Sequence, residues 1–231
     1  MKVNLSFFAA HKRSAGTDRA SIELPEGSSA RDAARAAETQ FGLVLKGSMV
    51  AINDEYAEPE RKLEPGDTVA FIPPVAGGAA QMDAGGSSSD FFLITPNALE
   101  ILELHAKLIA PGWGGQASFT GSTRTPNKGF DITRLEYEAY PELAQNVMRD
   151  LALEARAKWE LGAIVLAHRT GIVLPGEISI FVGTSSAHRT DCQRAVPWLV
   201  DEAKARLPVW KLEVAENGER WVEGSTSHPT L

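Results

Sequence analysis

Short apolar runs and one helical pattern alternate along the first 78 residues. Four runs have the length and apolar content of strands, KVNLSFF (2–8), ASIEL (20–24), MVAIN (49–53) and TVAFI (68–72). Between the second and third runs, alanines from Ala30 onward recur at helical spacing, with Ser29 and Asp32 as a capping box and Gly42 as the stop. The order ββαββ predicts a small sheet with one covering helix, a β-grasp-like arrangement.

The rest of the chain predicts a larger α+β unit. Strands are predicted for SFTGSTR, ITRLEYEAY, AIVLAH, EISIFVG, VWKLEV and RWVEG, the last two joined by a turn that contains Asn217-Gly218. One helix is predicted from Thr95-Pro96 to Ile109 and a second begins at Pro141. A third is predicted from about Arg189 to Arg206, in which Pro197 predicts a kink or a break. The whole chain is therefore predicted to be α+β.

A stretch without periodic apolar residues separates the two halves. AAQMDAGGSSSD, residues 79–90, has the Gly, Ser and Ala content of a flexible linker. This composition predicts a domain of residues 1–78, a linker of residues 79–90 and a domain of residues 91–231. The first domain ends with FIPPVAGG, in which two prolines end the last strand and two glycines follow. Such a thin tail can be threaded into a narrow pocket on another protein.

Composition and charge narrow the function classes. The chain of 231 residues is 43% hydrophobic and 23% charged, which is ordinary for a globular protein. Its formal net charge of −7 argues against a general nucleic-acid or membrane-surface binder, which requires a basic surface. The one cysteine, Cys192, excludes an intramolecular disulfide framework, and no apolar stretch approaches the length of a membrane span. We expect a cytoplasmic protein with neither nucleic acid nor membrane as a partner.

Basic residues stand at the ends of predicted elements in the second half. Arg124 ends a strand, His188 and Arg189 begin a helix, and Lys204 and Lys211 flank the turn ARLPVW. In an acidic chain, this grouping suggests a pocket for a phosphate-bearing or otherwise anionic small molecule. The alternative is that each residue caps backbone carbonyls or lies in solvent, which is the usual role of an isolated Arg or Lys at such a position.

Other motifs give less support to a chemical role. The five histidines lack the spacing of a metal site, so no metal is predicted, and PGWGG and DAGG lack the spacing of nucleotide-binding loops. Cys192 fits packing better than catalysis, because the neighbouring carboxylate of Asp191 opposes thiolate formation. His168, at the end of an apolar strand, fits a hydrogen-bonded histidine at the edge of the core.

Two sets of motifs resemble the two subunits of one enzyme. Residues 1–78, from KVNLSFFA to GDTVAFIPPVAGG, resemble the small sulfur-carrier subunit of molybdopterin synthase, a ubiquitin-like β-grasp protein. Residues from about 91 to 224 resemble the large catalytic subunit through FTGSTR, SSAHR, KARLPVWK and GERWVEG. The resemblance implies that a ubiquitin-like β-grasp domain is fused to an α/β hammerhead-type domain.

The resemblance also implies an activity and a site. A thiocarboxylate formed on Gly78 by an adenylating, sulfur-loading enzyme would pass its sulfur to cyclic pyranopterin monophosphate, giving the dithiolene of molybdopterin. Lys211 and Lys204 would be catalytic. The substrate would be bound by Ser122, Thr123, Arg124, His188, Arg189, Lys204, Lys211, Leu212 and Glu213. No cofactor is implied, and the large domain would self-associate, with each pocket formed from two copies.

Gly78 departs from the family pattern because it is internal here. A glycine in a peptide bond cannot be adenylated or thiolated, so we expect cleavage between Gly78 and Ala79. Two alternatives remain: an uncleaved scaffold or pterin-binding protein with an inactive carrier domain, and a carrier domain that serves another sulfur pathway. Arg124, His188, Lys204 and Lys211 together favour the enzyme, because a scaffold needs no buried basic pocket.

Overall fold

The computed structural model describes residues 1–74, 90–125, 131–216 and 218–222. The chain divides into two compact units, and the described part of unit 1 ends at residue 74 while that of unit 2 begins at residue 90. Gly78, Ala79, most of the predicted linker and Asn217 lie outside the described residues. Both units combine helices with sheets, so the α+β prediction is confirmed.

Unit 1 is a five-stranded mixed sheet with two helices. Its elements are β1 (Lys2–Phe7), α1 (Ala9–Ala15), β2 (Arg19–Glu23), α2 (Ala30–Phe41), β3 (Met49–Ile52), β4 (Glu55–Ala57) and β5 (Thr68–Ile72). The strand order is β2-β1-β5-β3-β4, in which β1 and β5 are parallel and the other pairs are antiparallel. The four predicted strands and the predicted helix are confirmed. The order ββαββ was incomplete, because α1 and β4 are too short to show an apolar period.

Helix α2 packs on the core of this sheet through small side chains. Its alanines at helical spacing are buried together with Val3 and Leu5 of β1. The predicted capping box is present, since the Asp32 carboxylate accepts a hydrogen bond of 2.9 Å from the Ser29 amide. Gly42 ends the helix at a φ of 65°, a left-handed conformation that favours glycine.

Unit 2 contains two four-stranded sheets and three helices among its described residues. Its elements are β6 (Phe91–Thr95), α3 (Ile101–Ala106), β7 (Gly115–Ser122), β8 (Ile132–Ala139), α4 (Pro141–Lys158), β9 (Ile164–Arg169), β10 (Gly171–Val173), β11 (Ile178–Ser186), α5 (Arg189–Arg206), β12 (Val209–Ala215) and β13 (Gly218–Trp221). The sheets have the orders β6-β9-β11-β7 and β10-β8-β12-β13. Helix α5 packs against β7 and β11, so it covers the side of the first sheet that these two strands form.

Two helix predictions in this unit need correction. The helix predicted from Thr95-Pro96 does not begin there, because Thr95 ends β6, which pairs with β9. The Thr95 hydroxyl accepts a hydrogen bond from the Asn97 amide within a turn, and the helix spans only Ile101–Ala106. Helix α5 is continuous through Pro197, so this proline does not mark a break. Pro197 lies on the exposed side of α5, where the carbonyl that it leaves unpaired can reach water.

Candidate functional site

A buried carboxylate joins two cations on β12 and β13. The side chain of Glu213 is 1% exposed, and its Oε1 lies 3.3 Å from Lys211 Nζ. Its Oε2 accepts a hydrogen bond of 2.8 Å from Arg220 Nε. Lys211 and Glu213 are two residues apart on one strand, so their side chains share a face of the sheet. The carboxylate therefore restrains Lys211, whose side chain is half-buried. Arg220 was not predicted as a site residue, although GERWVEG was recognised as a motif.

Tyr137 of β8 lies opposite Lys211 across the paired strands. Its hydroxyl lies 3.4 Å from Ser179 Oγ, and Ser179 in turn donates to the carbonyl of Gly121 at 3.3 Å. Burial raises the pKa of Tyr137, and the charge of Glu213 acts in the same direction. Tyr137 therefore keeps its proton at neutral pH, and this row of polar contacts connects the second sheet to the end of β7.

His168 contacts Tyr137 edge-on, with 5.0 Å between the ring centroids. Its Nδ1 lies 2.8 Å from the Arg169 carbonyl oxygen, which can only accept, so Nδ1 carries the proton. Burial lowers the pKa of His168 to about 4, which makes the ring neutral at pH 7. The interpretation of His168 as a hydrogen-bonded histidine at the edge of the core is confirmed.

The predicted residues Ser122, Thr123 and Arg124 lie at the end of β7. Ser122 and Arg124 are exposed, whereas Thr123 is 4% exposed. The Thr123 amide donates to the Glu177 carbonyl at 2.9 Å, but its hydroxyl oxygen has no hydrogen-bond partner among the described residues. Ser122 pairs with Ile178, the residue before Ser179. This segment therefore lies at the same end of unit 2 as Tyr137 and Lys211.

The remaining lysine of the predicted site also lies near β7. Lys204, exposed near the C-terminal end of α5, has its Nζ 5.3 Å from the centre of the Phe119 ring. Phe119 is three residues before Ser122 on the strand, about 10 Å away. Leu212, between Lys211 and Glu213, is buried on the other face of β12, because successive side chains of a strand point to opposite faces.

His188 and Arg189 lie at the other end of β7. Both residues are exposed at the start of α5, where Ser186 Oγ donates to the His188 carbonyl at 2.6 Å. Gly115, the first residue of β7, lies directly against this turn. Ser122 is seven residues further along the strand, about 23 Å away. One copy of the chain thus groups Lys204 and Lys211 with the end of β7, but it does not bring His188 and Arg189 to them.

Three other observations bear on the chemistry. Cys192 is buried and donates from Sγ to the Arg189 carbonyl at 3.2 Å, which agrees with a packing role. In the described part of the chain, no three His, Cys, Asp or Glu side chains are grouped so that they could hold a metal ion. None of the described helices has the length and apolar character that crossing a bilayer requires.

Comparison with known proteins assigns both parts of the chain to families. The MoaE protein family matches residues 94–206, and the ThiS family matches residues 5–78. The molybdopterin synthase catalytic subunit of Arabidopsis thaliana is 40% identical over 138 residues, which are 56% of this chain and 70% of the relative. The chain belongs to the molybdopterin synthase catalytic subunit family.

Solved structures agree with this assignment. Molybdopterin synthase from Staphylococcus aureus matches with a TM-score of 0.54 and 29% identity, over 56% of this chain and 94% of that one. A complex of subunits 1 and 2 of molybdopterin-converting factor from Helicobacter pylori shares the fold, with a TM-score of 0.50, 18% identity and coverage of 62% and 95%. The presence of a ThiS domain and a molybdopterin synthase catalytic domain in one chain confirms the predicted fusion and its role in molybdenum cofactor biosynthesis.

Proposed function

We propose that unit 2 transfers sulfur from a thiocarboxylate on Gly78 to cyclic pyranopterin monophosphate, which forms the dithiolene of molybdopterin. The observation that carries the proposal is the grouping of Lys211, Lys204 and Arg124 at one end of unit 2, in a chain whose net charge is −7. Cations of this kind suit an anionic substrate, because charge-assisted hydrogen bonds to phosphate are the strongest that side chains make.

The residues at this end differ in their proposed roles. Lys211 acts as acid, base or covalent anchor. Glu213 positions its amine, and the side chain remains partly accessible. Lys204 is the second lysine of the pocket, and Arg124 binds the phosphate. Glu213 orients Lys211 and Arg220 and does not contact the phosphate, since two anions repel each other.

A second copy of the chain completes each pocket. His188 and Arg189 are about 23 Å from Ser122 in one copy, as the length of β7 gives. One small substrate cannot span that distance, so these two residues serve a pocket only if they come from a partner. In a two-fold dimer, His188 and Arg189 of each copy would meet the lysines of the other, and unit 2 would self-associate.

Mixing two impaired variants, assayed at a substrate concentration no higher than the parent KM, tests the shared pocket. One tagged chain carries Lys211→Ala, and a differently tagged chain carries both His188→Ala and Arg189→Ala. Mixed dimers, isolated through both tags, contain one intact pocket out of two, so we expect about half of the parent turnover. Turnover no higher than that of the two separate variants would place all the residues in one copy and would refute the shared pocket.

Cleavage between Gly78 and Ala79 is part of the proposal. The carbonyl that must take up sulfur is otherwise held in an amide, and an adenylating, sulfur-loading enzyme can act only on a free carboxylate. We place the cleavage and the loading of sulfur in the cytoplasm. Intact-mass measurement on protein from its native cells tests the cut. A single species at the full 24.9 kDa, together with normal activity, would refute it.

A further inference from the structure

The segment PGWGG, residues 111–115, lies directly against the start of α5. Trp113 covers Gly162 so closely that a Cβ on Gly162 would be 2.5 Å from the indole ring. Gln116 holds the segment from within, donating from Nε2 to the Trp113 carbonyl at 2.7 Å. A Cβ on Gly114 would lie 3.2 Å from the Ala187 carbonyl oxygen. This motif, which has no nucleotide-loop spacing, thus has a packing role beside the turn that carries His188.

Gly115 makes the tightest approach to that turn. A Cβ at this position would lie 3.0 Å from both N and Cα of Arg189, and 3.2 Å from the His188 carbonyl carbon. All three atoms belong to the backbone, so they cannot rotate away as the end of a side chain could. Gly115 is not among the residues with positive φ, so close packing alone is what excludes a side chain there.

The start of α5 is held on its other side by Ser186. Its Oγ donates to the His188 carbonyl at 2.6 Å and accepts from the Cys192 amide at 3.1 Å. The first turn is therefore fixed between these hydrogen bonds and the backbone of β7. A Cβ on Gly115 must move the whole turn, including His188 and Arg189, by a few tenths of an ångström or more.

We propose that Gly115, assisted by Gly114, is a positioning residue that sets where His188 and Arg189 meet the substrate phosphate. The inference rests on the proposed function, in which these two residues bind that phosphate. A misplacement of about 1 Å can cost about 100-fold in rate, so a shift of a few tenths of an ångström should have a smaller effect, of about tenfold. No atom of Gly115 contacts the substrate, so its effect passes entirely through the turn.

Gly115→Ala tests the proposal against a matched glycine. We expect KM for cyclic pyranopterin monophosphate to rise about tenfold with kcat changed less than about twofold, because phosphate contacts act in ground and transition states alike. Gly183→Ala on β11 is the control, since the atoms nearest to its Cβ belong to the side chains of Leu108 and Phe181, at 2.8 Å. That control should lower thermal stability and leave KM unchanged. An unchanged KM for Gly115→Ala would overturn the proposal.

A double-variant cycle separates positioning from general destabilisation. In a chain that already carries His188→Ala and Arg189→Ala, adding Gly115→Ala should not raise KM further, because the residues through which it acts are gone. A further tenfold rise would overturn the proposal. If Gly115→Ala does not fold, Gly114→Ala, with its single contact at 3.2 Å, takes its place and should give the same pattern with a smaller rise.

Hydrogen exchange separates this inference from the proposed function. Amides of residues 188–192 should exchange faster in Gly115→Ala than in the parent or in Gly183→Ala, whatever the substrate. Unchanged exchange there would overturn the inference. If the parent chain converts no cyclic pyranopterin monophosphate, the proposed function fails, while the exchange result still decides whether Gly115 seats α5.

Discussion

The two units of this chain differ in what they bury. In the described part of unit 1, the buried polar residues are serines and His11, as in the hydrogen bond of 2.7 Å between His11 Nε2 and Ser48 Oγ. The ion pair of Arg31 with Glu60 lies at its surface, where the Glu60 side chain is 73% exposed. The core beneath is formed by the sheet and the alanines of α2.

Unit 2 buries charged groups instead. Asp90, whose side chain is 3% exposed, accepts two hydrogen bonds from Arg156 at 2.7 and 2.8 Å and one from the Ile164 amide at 2.9 Å. Glu213 is buried between Lys211 and Arg220. For Glu213 the difference agrees with the proposed chemistry, in which the catalytic unit holds Lys211 in place while the carrier acts through a tail beyond its last strand.

The largest expected effect is a complete loss of activity, and adding an external carrier shows which of the two units is responsible for it. Ala79→Pro, which blocks the proposed cut, and Lys211→Ala should each abolish molybdoenzyme activity in cells that lack any other carrier. When a pre-thiolated carrier is added in excess to purified protein, dithiolene formation should return for Ala79→Pro but not for Lys211→Ala. Ala79→Pro affects only the carrier, while Lys211 belongs to the catalytic pocket.

Lys158→Ala serves as the control for the lysine variant, because Lys158 is exposed on α4 and lies over the Trp198 ring. It should retain parent activity. Full cellular activity from a demonstrably uncut Ala79→Pro chain would contradict the proposed cleavage. Near-normal dithiolene formation by Lys211→Ala would remove Lys211 from the mechanism.

The next largest effect is the loss of stability when a buried ion pair is broken, compared with the loss for an exposed one. Asp90→Asn should lower the free energy of unfolding of unit 2 by about 3 to 5 kcal/mol, since it leaves Arg156 without its buried partner. Glu60→Gln, the exposed counterpart in unit 1, should change stability by less than about 1 kcal/mol. Urea unfolding followed by tryptophan fluorescence reports unit 2 alone, because all five tryptophans follow residue 90. Hydrogen exchange measures the stability of unit 1. Equal losses of stability in Asp90→Asn and Glu60→Gln would contradict the difference between the two units.

Acid should affect both units in the same direction. Burial lowers the pKa of His11 and of His168 to about 4, from 6.5 in the unfolded chain. Between those values only the unfolded state takes up the proton, so stability is complete above pH 6.5 and falls as pH drops toward 4. Each histidine should account for about 3 kcal/mol.

The histidine prediction can be checked one unit at a time. His11→Gln should remove most of the loss in unit 1, measured by hydrogen exchange at pH 7 and pH 4.5, and should leave the fluorescence-detected loss in unit 2 unchanged. An unaltered acid dependence of unit 1 in this variant would assign that dependence to carboxylates instead.

The smallest effect is expected for a phosphate contact. Arg189→Ala should raise KM for cyclic pyranopterin monophosphate by about one to two orders of magnitude with little change in kcat, which corresponds to one charge-assisted hydrogen bond of about 1.5 to 3 kcal/mol. Arg194→Ala, exposed on the same helix, is the matched control and should be neutral. Unchanged affinity in Arg189→Ala would mean that the phosphate lies elsewhere.

Local sequence patterns predicted most helices and strands correctly. They failed where pairing with a distant strand determines the secondary structure. Helix α2 was predicted with both ends, because its alanine spacing, capping box and terminal glycine are all properties of neighbouring residues. The helix predicted from Thr95 was wrong, because FFLIT pairs with β9, more than 70 residues away. Tyr137 and Ser179 escaped notice for the same reason, since nothing near them in sequence shows that Tyr137 lies opposite Lys211 or that Ser179 contacts Tyr137.

The sequence by itself determined which chemistry is present. The Gly-Gly tail, the basic residues at element ends and the order of the two sets of motifs can each be read within short segments, and they identify the family. Only the tertiary structure decided which of those residues lie together. The register of β7, α5 and β12 groups Lys204 and Lys211 with Arg124 and holds His188 and Arg189 at the far end of β7. Strand pairing and helix packing are long-range contacts, and local sequence patterns do not encode distances between the ends of a sheet.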